Sequence, residues 1–383
     1  MSSIDWIVLF GTLIFIVAYG VYKTRGTNSM DSYIRGDTSK WWTIGLSIMA
    51  TQASAITFLS TPGQAYTDGM RFIQFYFGLP LAMIIISVFF LPIYYKLKVY
   101  TAYEYLESRF DLKTRMLAAL IFLIQRGLAA GITIYAPAII LSSLLGWRLG
   151  YTTLIIGVLV IIYTVSGGTK AVTQTQKQQM AVMMGGMIAA GILVITQLPQ
   201  GVGFVDAMHV AGKMGKLNVV SFDFDLSDRY NFWSGMTGAV FLFMSYFGTD
   251  QSQVQRYLSG RSLSESRLGL MMNGLLKVPM QFIILFIGAM VFVFYQFNAP
   301  PIFFNDTIAQ EVRISEKGQE FTALEQQYEE IFAEKRTEVD NLVNYVETGD
   351  EQAIETTAAR LNSLQANSEN IRNEAKAVIS EAL

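Results

Sequence analysis

Eight apolar runs, at 4–22, 41–61, 72–95, 114–146, 150–166, 175–197, 230–249 and 267–297, occupy most of the first 297 residues of this 383-residue chain. Crossing the hydrocarbon core of a bilayer takes about 20 mostly apolar residues in a helix. Inside lipid a helix also satisfies its own backbone hydrogen bonds. The sequence therefore predicts an all-α, polytopic membrane bundle over 1–297. The first run reads as a retained helix and not a cleaved leader. Met1-Ser-Ser-Ile-Asp5 carries no positive residue, and no small-residue cleavage site follows the run.

Charge divides the chain at the same place. From residue 298 onward there are 17 acidic and 7 basic residues, a net −10, whereas the first 297 residues hold 13 acidic and 21 basic, a net +8. Only 15% of all residues are charged, against about 25% in soluble domains. A single soluble domain and a nucleic-acid binder, whose cations would line a polar face, are both excluded. The chain has no cysteine, which removes disulfides, thiolate chemistry and zinc–thiolate sites. Its one histidine, His209, is expected in a polar loop, which argues against a histidine-based metal centre or catalytic triad. No enzyme activity is expected.

Basic residues give an orientation. With the N-terminus outside, the inner loops carry 14 Lys and Arg and the short outer loops carry 5. The positive-inside bias therefore predicts an outside N-terminus in the cell or plasma membrane. Eight crossings would return 298–383 to the outside. That tail reads as two amphipathic helices: Phe321, Leu324, Tyr328, Ile331 and Phe332 recur at helical spacing, and Gly349-Asp350 interrupts the pattern before it resumes. A solvated cap or a partner-binding coiled coil would both fit such helices.

Polar residues inside apolar runs carry the functional signal. The second run holds Thr51, Gln52, Ser54 and Thr57 and ends in Pro62-Gly63. Hydroxyls can bond back to a helix carbonyl, but a glutamine beside three of them fits a broken helix lining a cavity better. Two cations are also intramembrane. Arg126 lies about 18 Å into the fourth run and Lys277 about 15 Å into the eighth, at 1.5 Å per residue. Lys277 could snorkel to the surface, and Arg126 could pair with carbonyls or a glutamine. No acid falls well inside any run, so the missing anion could instead arrive as substrate.

Four segments carry a resemblance: Tyr33-Ile-Arg-Gly-Asp-Thr-Ser-Lys-Trp-Trp-Thr-Ile-Gly45, Thr101-Ala-Tyr-Glu-Tyr-Leu-Glu-Ser-Arg-Phe110, Ser166-Gly-Gly-Thr-Lys-Ala-Val172 and Gly248-Thr-Asp-Gln-Ser-Gln-Val-Gln-Arg-Tyr-Leu258. In this order the chain resembles the sodium/solute symporter family, whose members share a LeuT-like inverted-repeat core. Ser54-Ala-Ile-Thr-Phe58 and Tyr135-Ala-Pro-Ala-Ile-Ile-Leu141 look most like the branches handling sialic acid and small anions. The resemblance implies sodium-coupled import of a small solute, with sodium, the solute and the bilayer as partners. It also implies an incomplete second repeat, so that the chain looks truncated before the eighth core helix and would hold half a sodium site.

Carried over by position, the resemblance gives sodium the backbone carbonyls of Ala50 and Ala53. The solute would meet Gln52, Ser54, Thr57 and Tyr76, with Arg126 similar to the arginine that pairs with the substrate carboxylate in sialic-acid relatives. Lys277 matches a lysine that contacts sugar in galactose relatives. Thr57, Tyr76 and Phe243 stand where the galactose carriers have Gln, Glu and Asn. Thr175-Gln176-Lys177 replaces a Thr-Asp that serves sodium in many members, which argues against a second sodium. A neutral sugar as solute, and a symporter-like membrane sensor or scaffold, are the alternative readings.

Overall fold

The computed structural model describes residues 3–24, 40–54, 56–199, 201–225 and 227–382. The stretch 33–39 of the first resemblance motif lies outside the described residues. Helices make up the described elements. In chain order they are α1 (Ser3–Thr24), α2 (Trp41–Gln52), α3 (Thr61–Asp68), α4 (Gly78–Ile85), α5 (Leu91–Leu97), α6 (Glu104–Arg109), α7 (Leu112–Leu145) and α8 (Leu149–Thr196). There follow α9 (Phe204–Lys213), α10 (Phe232–Met236), α11 (Gly238–Gly248), α12 (Gln251–Leu258), α13 (Leu263–Phe297), α14 (Asp306–Arg313), α15 (Gly318–Thr348) and α16 (Glu351–Ala382).

Two prolines explain two irregular turns. A π-turn at Ile56–Ser60 stands before Pro62, and another at Ile86–Phe90 stands before Pro92. Proline cannot donate to the carbonyl one turn back, and its ring crowds that turn, so the ladder widens there. A 3₁₀ segment, Met70–Phe77, leads into α4.

The chain forms two compact units. The first comprises 1–61, 71–187 and 220–284. Its core gathers Ile44 and Ile48 of α2, Leu79 and Met83 of α4, Phe243 and Phe247 of α11, Tyr257 of α12 and Leu270 of α13. Close approach of α2 and α13 depends on Gly269, where an added Cβ would stand 2.6 Å from Ile44. Small residues at such crossings are how membrane helices gain contact, because lipid offers no hydrophobic drive between them.

The second unit comprises 62–70, 188–219 and 285–383. Here α15 and α16 form a helical hairpin. Gly349 takes a left-handed φ of 74° at the end of α15, a conformation glycine adopts without Cβ strain. Phe321, Leu324 and Tyr328 are buried as the spacing predicts, while Ile331 and Phe332 are half-buried. Val339 and Leu342 of α15 pack with Leu361 of α16, Val210 of α9, and Met290 and Phe292 of α13. His209 is an exposed residue of helix α9, not a loop residue.

Four helical stretches among the described residues are long and apolar enough to cross a membrane: Met70–Leu97, Leu112–Leu145, Thr175–Thr196 and Leu263–Phe297. The bent pair Trp41–Gln52 and Ile56–Asp68 makes a fifth if counted as one broken span. Among the described residues the helices divide the eight expected runs differently at three places. In α1 the apolar stretch is only Ile4–Ile16. The runs 150–166 and 175–197 belong to one helix, α8, because no proline between them forces a stop. The run 230–249 is interrupted at Thr237 between α10 and α11, which leaves neither piece long enough.

Candidate functional site

The break in the second run is the centre of the candidate site. Helix α2 ends at Gln52, Ala53 leaves the helical region at φ −86°, ψ 87°, and the two halves are bent by 69°. A helix end leaves its last four carbonyls without intrahelical donors. Met49 recovers one from the Ala53 N–H at 2.9 Å, and the Gln52 carbonyl accepts from the Thr57 hydroxyl at 3.3 Å. Among the described residues no hydrogen bond ends on the Ala50 or Ala53 carbonyl. Both residues are buried, so two hard, uncharged oxygens stand near the break. This is chemistry that suits a sodium ion, and the described residues contain no cluster of three acids or histidines for a different metal.

Polar side chains surround the break. Gln52 has a buried Oε1 with no partner among the described residues, Thr57 is buried and Ser54 is half-buried. Before the break, α2 is fastened by Gln176 of α8. The Ser47 hydroxyl donates to Gln176 Oε1 at 2.7 Å, and Gln176 Nε2 donates to the Thr51 hydroxyl at 2.8 Å. Thr51 in turn donates to the Ser47 carbonyl at 2.7 Å. The amide thus satisfies both its ends on one helical turn.

Tyr76 packs in an aromatic group with Phe72, Phe75 and Phe243, with ring centroids 5.7, 6.1 and 5.8 Å away. Phe243 continues to Phe247 and Tyr246, and the Arg126 guanidinium lies 5.7 Å from the Tyr246 ring centroid.

Arg126 is not an unpaired cation. Its guanidinium donates to both carboxylate oxygens of Asp250, at 2.9 and 3.2 Å, and also contacts the Ser252 hydroxyl. The acid missing from the apolar runs stands one residue beyond the seventh of them. It doubles as the N-cap of α12, accepting from Ser252 N at 2.9 Å. Lys277 departs from expectation in the opposite sense. It is fully buried and its Nζ has no hydrogen-bond partner among the described residues, so it does not snorkel. An intramembrane charge costs at least about 2.5–3.5 kcal/mol on insertion scales, which makes an uncompensated ammonium informative.

The predicted residues thus fall into three groups. Ala50, Gln52, Ala53, Ser54 and Thr57 share the break, Tyr76 and Arg126 are linked through aromatic rings, and Lys277 has its own surroundings. Among the described residues no hydrogen bond or ion pair joins Arg126 or Lys277 to the break. Asp250 and Ser252 are not among the residues that the apolar runs single out, although an Asp-x-Ser preceding a polar helix is a capping signal.

The family model described as the sodium:solute symporter family matches residues 33–318. The chain belongs to that family. Sodium-coupled monocarboxylate transporter 1 of Homo sapiens is 34% identical over 70% of this chain and 44% of its own length. The Homo sapiens sodium/iodide cotransporter is 33% identical over 60% of this chain and 35% of its own length. The solved structure of a Na+-coupled sialic acid symporter in a substrate-bound, outward-open state superposes with a TM-score of 0.72. It is 26% identical, and the match covers all of this chain and 79% of that one. The chain spans less than half the length of the curated relatives. Membership makes this symporter-family chain a multi-pass membrane protein with a LeuT-like fold, and family members are transporters, not enzymes.

Proposed function

We propose that the whole protein is a sodium-coupled symporter that imports a small organic anion. The observation that carries this is the break after Gln52, with the carbonyls of Ala50 and Ala53, which accept no hydrogen bond among the described residues, beside Gln52, Ser54 and Thr57. Sodium would sit on those carbonyls together with groups from elsewhere in the protein, and the polar side chains and Tyr76 would face the solute. Sodium held at the junction of two half-helices stabilises the conformation in which they are so arranged. Coupling is then the difference in ion and solute affinity between the two access states. Relatives named for monocarboxylates, iodide and sialic acid support an anion as cargo.

In this reading the N-terminus and residues 298–383 are outside, and 1–297 form the membrane domain. A neutral-solute reading gains support from one observation, the Arg126–Asp250 pair, because Arg126 then needs no substrate charge. The test is uptake by the full-length protein in proteoliposomes over a panel of carboxylates and hexoses. Uptake should collapse when external sodium is replaced by choline. Undiminished uptake in choline, driven by a proton gradient, would overturn the sodium assignment.

A further inference from the structure

A cavity of about 560 Å³ lies within the first unit, between α5, α6 and α7. It is lined by Phe89 and Ile93 at and before α5, by Leu106 of α6, and by Ala118, Ile121 and Phe122 on one face of α7. Its size falls in the range of about 300–1,000 Å³ that holds small ligands. The polar groups at its edge are already engaged. The Tyr94 hydroxyl donates to the Gly248 carbonyl at 2.7 Å, and the Thr249 hydroxyl donates to the Ser245 carbonyl at 2.9 Å. Among the described residues no side chain lining the cavity has a buried polar atom without a partner. Water needs two to four polar partners, so an apolar occupant fits this space better.

The cavity is open at the surface of the unit, where Phe89 and Ile121 are 64% and 56% exposed. Both belong to stretches long and apolar enough to cross a membrane, so the opening faces hydrocarbon. Ala118 and Phe122 lie about 9 and 15 Å from the start of α7 at 1.5 Å per residue. That is the depth of one leaflet, half of a core about 30 Å thick. Residues 98–111 join the end of α5 to the start of α7, so both helix ends stand at one membrane surface. Here 96–115 carry five basic and three acidic residues. All three acids are committed: Glu104 and Glu107 pair with Arg115, and Asp111 caps α7 by accepting from Thr114 N at 2.8 Å. Lys96, Arg109 and Lys113 are exposed and form no ion pair among the described residues.

We propose that this cavity seats an acyl chain of an anionic phospholipid, with the headgroup held by Lys96, Arg109 and Lys113. The occupant matches both halves of the site, since its chain is apolar for the depth of a leaflet and its charge lies at the surface where the cations are. In the orientation proposed above this is the cytoplasmic leaflet, whose anionic lipids attract juxtamembrane cations. Thr249 also lines the cavity and precedes Asp250, the cap of α12, so the chain would pack against the α11–α12 junction. The site is independent of whether the solute is charged or neutral.

The experiment uses the full-length protein in proteoliposomes containing phosphatidylglycerol with a photoreactive diazirine in one acyl chain, or phosphatidylcholine with the same chain. After irradiation, labelled residues are mapped by mass spectrometry. Label from phosphatidylglycerol should concentrate on Ile93, Ala118, Ile121 and Phe122, above Leu117, Leu120 and Leu128, which are exposed on α7 outside the cavity. Phosphatidylcholine should label the cavity about tenfold less, because its headgroup carries no net charge for the three cations. Ala118→Trp fills the space and should abolish the preference for cavity residues. Lys96→Gln, Arg109→Gln and Lys113→Gln combined alter only exposed side chains and leave the cavity intact. That variant should reduce phosphatidylglycerol labelling to the phosphatidylcholine level. Label spread evenly over the outer face of α7 would overturn the seat, as would equal labelling by the two lipids. Undiminished phosphatidylglycerol labelling in the triple variant would overturn it too, whether or not Ala118→Trp folds.

Discussion

Gln176 Nε2 donates to the Thr51 hydroxyl at 2.8 Å, one residue before the end of α2 at Gln52. With Ser47 completing the loop at 2.7 Å, the neutral amide fixes the last turn that carries the Ala50 carbonyl. Replacing it by leucine leaves the Ser47 hydroxyl to find another acceptor, at about 1–3 kcal/mol if it fails, while Thr51 keeps its bond to the Ser47 carbonyl. Gln176→Leu is expected to raise the sodium concentration for half-maximal uptake about five- to tenfold, with a smaller change in the solute KM. A sodium activation curve checks this. An unshifted curve would mean that the amide only packs.

The same residue bears on stoichiometry. Gln176 carries no charge, and its amide is fully used within the protein, so it offers nothing to a second cation. One sodium per solute is the expected ratio. Reversal potentials measured at several sodium gradients give it directly, and a value of two would require a carboxylate from another part of the protein.

Arg126 and Asp250 should behave as a coupled pair. The Asp250 side chain is 11% exposed and that of Arg126 30%. Removing one partner of a buried pair costs about 3–5 kcal/mol, and the partial exposure of Arg126 places Arg126→Met near the lower end. Asp250→Ala should cost more, since it also removes the cap of α12, worth about 1 kcal/mol. The double variant should recover part of the loss, giving a coupling energy of about 1–3 kcal/mol in a cycle measured by unfolding in detergent. Additive losses would show that the two charges do not depend on each other.

What the sequence disclosed follows from what periodicity can express. Long apolar runs gave α7, the second half of α8 and α13, and the 3.6-residue spacing of Phe321, Leu324 and Tyr328 gave the hairpin. Run length could not register the interruption at Thr237, where a backbone turn and not a change of composition ends the helix. The Arg126 partner was hidden for a similar reason: Asp250 lies outside its apolar run, but a long guanidinium side chain reaches across helices 124 residues apart in sequence. In α13 the position of Lys277 was readable, whereas its lack of a hydrogen-bond partner among the described residues is a property of packing alone. The roles of Gln52, Ser54, Thr57 and Tyr76 rest on position at the break, which composition announced and the resemblance located.

Lys335 supplies a pH dependence in the α15–α16 hairpin. It is 3% exposed and bonds Gln365 Oε1 at 3.0 Å. Burial, with Arg372 and Lys216 nearby and Glu369 opposing them, pulls its ammonium down from 10.5 to about 8. The folded state therefore releases this proton at lower pH than the unfolded chain does. Between about pH 8 and 10.5 the unfolded state binds more protons, so this group's contribution to stability rises with pH across that window. Below pH 8 both states are protonated and the contribution is flat. Lys335→Met removes the buried charge while keeping the aliphatic stem, and should raise the unfolding temperature by several degrees at pH 7 and by much less at pH 10. Unfolding of the full-length protein at both pH values, with Lys376→Met as an exposed control, measures the difference. Equal shifts at the two pH values would show that Lys335 stays charged in the folded protein throughout.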